Sequence, residues 1–220
     1  LAIIGMIYAS LIALRQDDLK RLVAYSSIAH IGLLCAGLFT QNTSGVQGVM
    51  IQMFSHGINI IGLWIVVEWI ERNTGTRKMS ELGGLAQTAP ALAIFFVIIA
   101  LANIALPLTN AFVGEFLIFN GILSSYTQYY VWFTAMAGIC IILAAAYTLR
   151  MVRKVAYGHV NEITAKVTDI RFNEKLALGI IVVLIFWMGV FPQPMLDLTN
   201  GVTESIVNKF EVIRYPAVPK

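Results

Sequence analysis

Glu115 lies in the segment Ala105-Leu-Pro-Leu-Thr-Asn-Ala-Phe-Val-Gly-Glu-Phe-Leu-Ile-Phe119 and is the only charged side chain between Glu81 and Arg150. A carboxylate inside a membrane segment is costly, and it usually faces protein or a water-filled cavity on an ion pathway. Two histidines occur in neighbouring apolar runs. His56 follows Gln52 by four residues and precedes Asn59 by three, so Gln52, His56 and Asn59 form one helical stripe. His30 stands one turn after Ser27, and Thr109 and Asn110 precede Glu115. Carboxylates and imidazoles joined by hydroxyl and amide side chains are the material of intramembrane proton relays. Imidazole suits the task because its unperturbed pKa of about 6.5 makes proton gain and loss cheap near neutrality. Glu115, His56 and His30 are therefore the candidate proton-transfer residues, with Gln52, Asn59, Ser27, Thr109 and Asn110 as supporting polar groups.

Each of these has a structural alternative. Hydroxyl and amide side chains in membrane helices also tie helices together through modest hydrogen bonds. A buried histidine also serves as a satisfied structural group, although two on adjacent spans shift the balance toward function. For Glu115 the alternative is an ion pair with a cation from another helix, and no Lys or Arg of this chain falls mid-membrane. Lys20, in Arg15-Gln-Asp-Asp-Leu-Lys-Arg21, reads as a surface residue, and Glu68 and Glu71 read as interfacial.

The elements that carry these residues are membrane spans. The chain is 58% apolar and 12% charged, about half the charge of a soluble domain. Apolar runs of spanning length recur throughout, and the weak ten-residue alternation of a porin-like barrel is absent. The expected fold is an all-α polytopic membrane protein with helices near 1–14, 22–39, 46–70, 89–124, 129–157 and 175–190. A crossing needs about 20 residues, so the stretch 89–124 is too long for one straight helix and short for two with a loop. Pro107, Asn110 and Gly114 can interrupt it, and Pro107 and Gly114 are the expected break residues. Irregular backbone at membrane depth must be buried in protein or line a cavity.

Charge decides how often 89–124 crosses. Twelve of the fifteen Lys and Arg residues lie after the first, third and fifth spans, whereas the connections 40–45 and 124–128 have none. A single, broken crossing made of two half-helices puts all three basic regions on the cytoplasmic side, as the positive-inside rule requires. Two crossings would expel the largest. The result is about six crossings in a bundle spanning 1–190 and an external tail, 191–220, with an amphipathic helix expected over 195–210. Trp64 and Trp69 are expected at the cytoplasmic interface, and Tyr126, Tyr129, Tyr130 and Trp132 at the external one. Phe191-Pro-Gln-Pro194 should stop the last span.

Leu1 opens inside an apolar run without an initiator Met or a basic n-region, so the expectation is the C-terminal part of a longer chain and not a signal peptide. Cys35 and Cys140 are expected as unpaired core residues. The sequence has no Walker loop, no dinucleotide fingerprint and no cysteine cluster for zinc or iron–sulfur. The chain is thus expected to bind no metal or redox cofactor.

Four ordered motifs carry a family resemblance: Asp18-Leu-Lys-Arg-Leu-Val-Ala-Tyr-Ser-Ser-Ile-Ala-His-Ile-Gly32, Gln52-Met-Phe-Ser-His-Gly57, Leu106-Pro-Leu-Thr-Asn-Ala-Phe-Val-Gly-Glu-Phe-Leu-Ile118 and Phe191-Pro-Gln-Pro-Met-Leu-Asp197. Together they resemble the antiporter-like membrane subunits of respiratory complex I, the proton-pumping NADH:quinone oxidoreductase, and in particular its subunit M branch. The resemblance implies the last six of fourteen helices, with a broken helix twelve. It equates His30 with the histidine of helix ten, His56 with the central-axis histidine of helix eleven, and Glu115 with the carboxylate of helix twelve. Sister subunits L and N and the Mrp antiporters usually carry Lys at that last position. One departure is Leu108, where the family often has Gly after the proline.

By that resemblance the chain holds the output half of a proton path. His56 passes a proton toward Glu115, which exchanges it with the external side through the break at Pro107–Asn110, and His30 is an auxiliary relay or a hydrogen-bond partner. The implied partners are the bilayer and neighbouring subunits such as L and N, not nucleic acid. NADH, FMN, iron–sulfur clusters and quinone belong to other subunits, and the implied location is the bacterial inner membrane. The rivals are an Mrp-type sodium/proton antiporter subunit and a membrane subunit of a hydrogenase-like complex.

Overall fold

The computed structural model describes residues 1–214, and the end of the expected tail, 215–220, lies outside the described residues. Helices form where the apolar runs are. They are α1 (Ala2–Arg15), α2 (Leu19–Leu38), α3 (Thr43–Thr74), a single turn α4 (Leu85–Thr88), α5 (Pro90–Asn103), α6 (Asn110–Leu123), α7 (Tyr130–Val155), α8 (Phe172–Val190) and α9 (Gln193–Arg214). The termini follow local chemistry. Asp18 and Asn42 cap α2 and α3 by accepting from the Arg21 and Gly45 amides. Pro90 opens α5, where its missing N–H costs nothing. Gly75, in the left-handed region, closes α3. Pro192 ends α8, and Pro194 falls in the first turn of α9, so the proline pair separates two helices.

Four helices, α2, α3, α7 and α8, are long and apolar enough to cross a membrane. α5 and α6 have 14 residues each, about 21 Å apiece at 1.5 Å per residue, too short for a bilayer core of about 30 Å. They join in one crossing. Hydrogen bonds between connections show why. The Leu19 amide donates to the Arg77 carbonyl and the Met79 amide to that of Asp17. Lys154 pairs with Asp17 at 3.6 Å, the Ala86 amide reaches the Ala156 carbonyl, and the Asn161 amide group reaches that of Glu81. The three basic regions therefore share one end of the bundle. Asn42, Ser44, Asn120 and Gly121 meet at the other, where Asn42 Nδ2 donates to the Gly121 carbonyl and Asn120 Nδ2 to Ser44 Oγ. The chain thus passes from the charged end to the uncharged end once between 89 and 124.

At the charged end Lys20 bridges Glu68 at 2.8 Å and Glu71 at 2.5 Å. Asp169 accepts from the Ala91 and Leu92 amides at 2.9 and 3.1 Å, giving α5 an acidic cap from outside the helix. The core beneath is built from Leu19, Leu22, Leu63, Ile70, Phe96, Ile99 and Tyr147. Outward faces of α7 and α8 expose large apolar side chains such as Ile142, Ile180, Val183 and Trp187, as a lipid-facing surface requires. α9 packs on the start of α3, where Gln47 donates to Asn200.

Two expectations need correction. Trp69 is not an interfacial residue but part of the core, because its position on α3 faces the interior; Trp64 alone is exposed there, near Lys20. Cys35 is exposed and Cys140 buried, so only the second is a core residue. Cys35 falls on the outward face of α2, five residues from buried His30.

Candidate functional site

The break is the run Ile104–Thr109. Its backbone turns twice through the left-handed region, at Ala105 (φ 55°) and Leu108 (φ 74°), on either side of Pro107. A side chain in that region costs about 1–2 kcal/mol. Leu108 thus holds a conformation that a glycine would adopt without strain. Short turns satisfy part of the freed backbone: the Thr109 amide donates to the Leu106 carbonyl at 3.0 Å, and the Thr109 hydroxyl reaches the same oxygen at 2.6 Å. Two neighbours hold the break. Gly189 of α8 sits so close to the Leu108 carbonyl that any Cβ there would collide. From α3, Ser55 Oγ donates to the Asn110 carbonyl at 3.0 Å, while Asn110 Nδ2 donates to the Ser55 carbonyl at 3.2 Å. Thr109 and Asn110 therefore spend their polar groups on fixing the break.

Gly114, expected as a break residue, is not one. It lies in the second turn of α6, and its lack of a side chain serves packing. A Cβ there would stand 3.0 Å from the Gln52 Cα. α3 and α6 form the most extensive helix pair, and Gly45, Gly48, Gly114 and Gly121 let their backbones approach closely, as small residues do between membrane helices.

That close approach brings Gln52 to Glu115. Glu115 is 6% exposed, and its carboxyl Oε1 accepts from Gln52 Nε2 at 3.4 Å. His30 Nε2 of α2 stands 3.7 Å from the same oxygen. The other ring nitrogen of His30 faces the Ser26 carbonyl at 2.9 Å. A carbonyl only accepts, so Nδ1 carries the hydrogen and Nε2 is the nitrogen that can exchange a proton with Glu115. The His56 ring lies 4.9 Å from the His30 ring, centroid to centroid. The three candidate proton-transfer residues thus meet in one cluster from three helices, in the order His56, His30, Glu115. His30 lies beside each of the other two.

The supporting residues divide. Gln52 belongs to the cluster. Asn59 is buried, and neither polar atom of its amide has a hydrogen-bond partner among the described residues. Ser27 is half-buried, and the serine that serves the cluster is its neighbour Ser26. Ser26, four residues before His30, lies about 40° from it around the helix, against about 60° for Ser27. Its hydroxyl accepts from Tyr147 Oη at 3.0 Å and from Asn103 Nδ2 at 3.3 Å, joining α7 and α5 to the site.

Tyr147 is a residue of the site that sequence reasoning missed. It is fully buried, although a phenol three residues before Arg150 resembles an interfacial anchor. The available signal was the small-residue run Ala144-Ala-Ala146 before it, which makes room for a neighbouring helix. Among the described residues no three His, Cys, Asp or Glu side chains converge to hold a metal ion.

Residues 1–149 match the family model described as NADH:quinone oxidoreductase/Mrp antiporter, TM. A protein named NADH-quinone oxidoreductase subunit M from Rhodobacter capsulatus is 36% identical over 211 residues, covering 96% of this chain and 40% of that protein. The protein of the same name from Mycobacterium tuberculosis strain H37Rv is 34% identical over 206 residues, covering 93% and 36%. The chain therefore spans about two fifths of the length of the curated relatives it matches. Among solved structures, a chain of respiratory complex I from Thermus thermophilus superposes with a TM-score of 0.87 at 28% identity, over 94% of this chain and 43% of that one. A chain of the Mrp complex from Dietzia shares the fold, with a TM-score of 0.84 at 16% identity, over 97% and 47%.

Proposed function

This chain belongs to the NADH:quinone oxidoreductase/Mrp antiporter family of transmembrane domains, and we propose that it carries part of the proton-translocation path of a complex I, the NADH:quinone oxidoreductase. The observation that carries the reading is the cluster of Glu115, His30 and His56 at the side of a broken helix, with Glu115 Oε1 3.7 Å from His30 Nε2.

In this reading a proton enters at His56, passes to His30 Nε2 and then to Glu115 Oε1. Ser26 fixes the His30 ring, so Nε2 alone takes part, and the bond from Nδ1 to the Ser26 carbonyl supports the imidazolium while it lasts. Gln52 donates to the carboxylate and holds it toward the ring. The break, clamped by Ser55 and Asn110 and seated on Gly189, would open the way from Glu115 toward the uncharged end of the bundle. By the positive-inside rule that end is external, and the charged connections are cytoplasmic.

NADH, FMN, iron–sulfur clusters and quinone would act in other subunits. For the iron–sulfur clusters the thiol donors here do not fit, since a cluster takes four thiolates and this chain has only Cys35, exposed on α2, and Cys140, buried on α7. The chain would then be part of a translocase without a redox centre of its own, in a bacterial inner membrane, beside antiporter-like subunits such as L and N. An Mrp-type sodium/proton antiporter shares the fold, but Glu115 stands where its subunits usually carry Lys. A hydrogenase-like membrane subunit in which Glu115 pairs permanently with a cation finds no support around the carboxylate, where a histidine is the only basic neighbour within 4 Å among the described residues.

Glu115→Gln in the full-length subunit, within the assembled complex, is the test. NADH-driven proton uptake into inverted membrane vesicles should fall steeply. Unchanged pumping with normal assembly would overturn the assignment.

A further inference from the structure

Ser10 of α1 is fully buried, and its hydroxyl has no hydrogen-bond partner among the described residues. A serine inside a helix commonly bonds the carbonyl one turn back, and Ser10 does not. It lines a cavity of about 20 Å³ between α1, α2, α6 and α7, whose wall also includes His30, Glu115 and Tyr147, with Met6 and Cys140 on the apolar side. That volume suits one water molecule, which needs at least about 10–15 Å³ and two to four polar partners. Ser10, Glu115 and His30 supply three. An apolar hole of this size would stay dry, but here an unsatisfied hydroxyl and a carboxyl share the wall.

We propose that this cavity is a binding site for one water molecule, which Ser10 holds against the Glu115–His30 pair. The inference deepens the relay reading and rests on it. Ser10 is then a positioning residue: it touches the water and not the transferred proton. The water donates to Glu115 Oε1 or Oε2 when the carboxylate is charged and accepts from the carboxylic acid when it is protonated, so Glu115 keeps a partner in both states while His30 turns over. α1, which presents no charged side chain to the site, thereby becomes its fourth wall.

The test uses the full-length subunit in its assembled complex, with Ser10→Ala and Ser10→Thr compared by infrared difference spectroscopy. The Glu115 carboxyl band is assigned by its loss in Glu115→Gln. Ser10→Ala should shift that band and remove the water band that responds to H₂¹⁸O, whereas Ser10→Thr, which keeps the hydroxyl, should retain both. Bands unaltered by Ser10→Ala would overturn the water site. If Ser10→Ala does not assemble, a high-resolution density map of the unmodified complex decides: a peak within hydrogen-bond distance of Ser10 Oγ and the Glu115 carboxyl supports the site, and its absence rejects it. The two readings fail separately. Pumping that survives Glu115→Gln removes the relay, while pumping lost in Glu115→Gln with bands unmoved by Ser10→Ala removes only the water.

Discussion

His30 Nε2 lies 3.7 Å from Glu115 Oε1, while its Nδ1 is committed to the Ser26 carbonyl at 2.9 Å. One nitrogen is anchored and the other faces the acid. The His56 ring of α3 lies 4.9 Å from the His30 ring, centroid to centroid, so the imidazole of α2 stands beside both groups, while Gln52 of α3 reaches the Glu115 carboxyl directly.

His30→Gln keeps an amide that can donate to Ser26 but cannot carry a proton. NADH-driven proton pumping by the assembled complex should fall about tenfold, since a positioned acid–base group is worth about 10²–10⁴ where it limits the rate and this transfer is one step of a longer path. The check is proton uptake into inverted vesicles, normalised to assembled complex. Rates near the unmodified level would show that His56 reaches Glu115 without His30.

Gly114→Ala separates two roles by the sign of its effect. If Gly114 loosened α6, alanine would stabilise the helix by about 0.5–1 kcal/mol. If it admits α3, the added methyl meets the Gln52 backbone, and overpacking costs about 1–3 kcal/mol. With a Cβ only 3.0 Å from the Gln52 Cα, the second effect should win by about 1–2 kcal/mol. Thermal unfolding of the full-length subunit in detergent should show a lower midpoint, and a raised one would return Gly114 to the break.

What the sequence made legible was contrast. A lone carboxylate between Glu81 and Arg150 marks itself, and the basic connections on one side force 89–124 into a single crossing, which the hydrogen bonds from Leu19 to Arg77 and from Ala86 to Ala156 bear out. Side-chain partners were less legible. A 3.6-residue period gives a face but not what lies opposite, so Ser26 and Ser27 look alike until α7 places Tyr147 against one of them. Ser10 was invisible for the same reason, as a small polar residue in an apolar run whose importance depends on a cavity made by three other helices. Gly114 was misplaced because glycine breaks helices and admits neighbours equally well. Nor does composition reveal that Ala105 and Leu108, and not a glycine, take the left-handed turns of the break.

The charged end gives a pH-dependent prediction. Burial works to raise the Asp17 pKa, but the Ser80 hydroxyl and the Lys154 ammonium outweigh it and hold the carboxyl below its ordinary value of 3.8. A depressed pKa means that the folded state favours the carboxylate, so the stabilisation is present above about pH 3.8 and disappears as the pH falls through the folded value. The group is partly exposed, so its worth is about 0.2–1 kcal/mol. Asp17→Asn should lower the thermal midpoint of the full-length subunit at pH 6 by a small amount, because the Lys154 pairing is lost while the Asp17 carbonyl still accepts from the Met79 amide. The difference between the two proteins should close as the pH is brought below 3.8. A gap that stays constant down to that range would mean that Asp17 acts through its shape and not its charge.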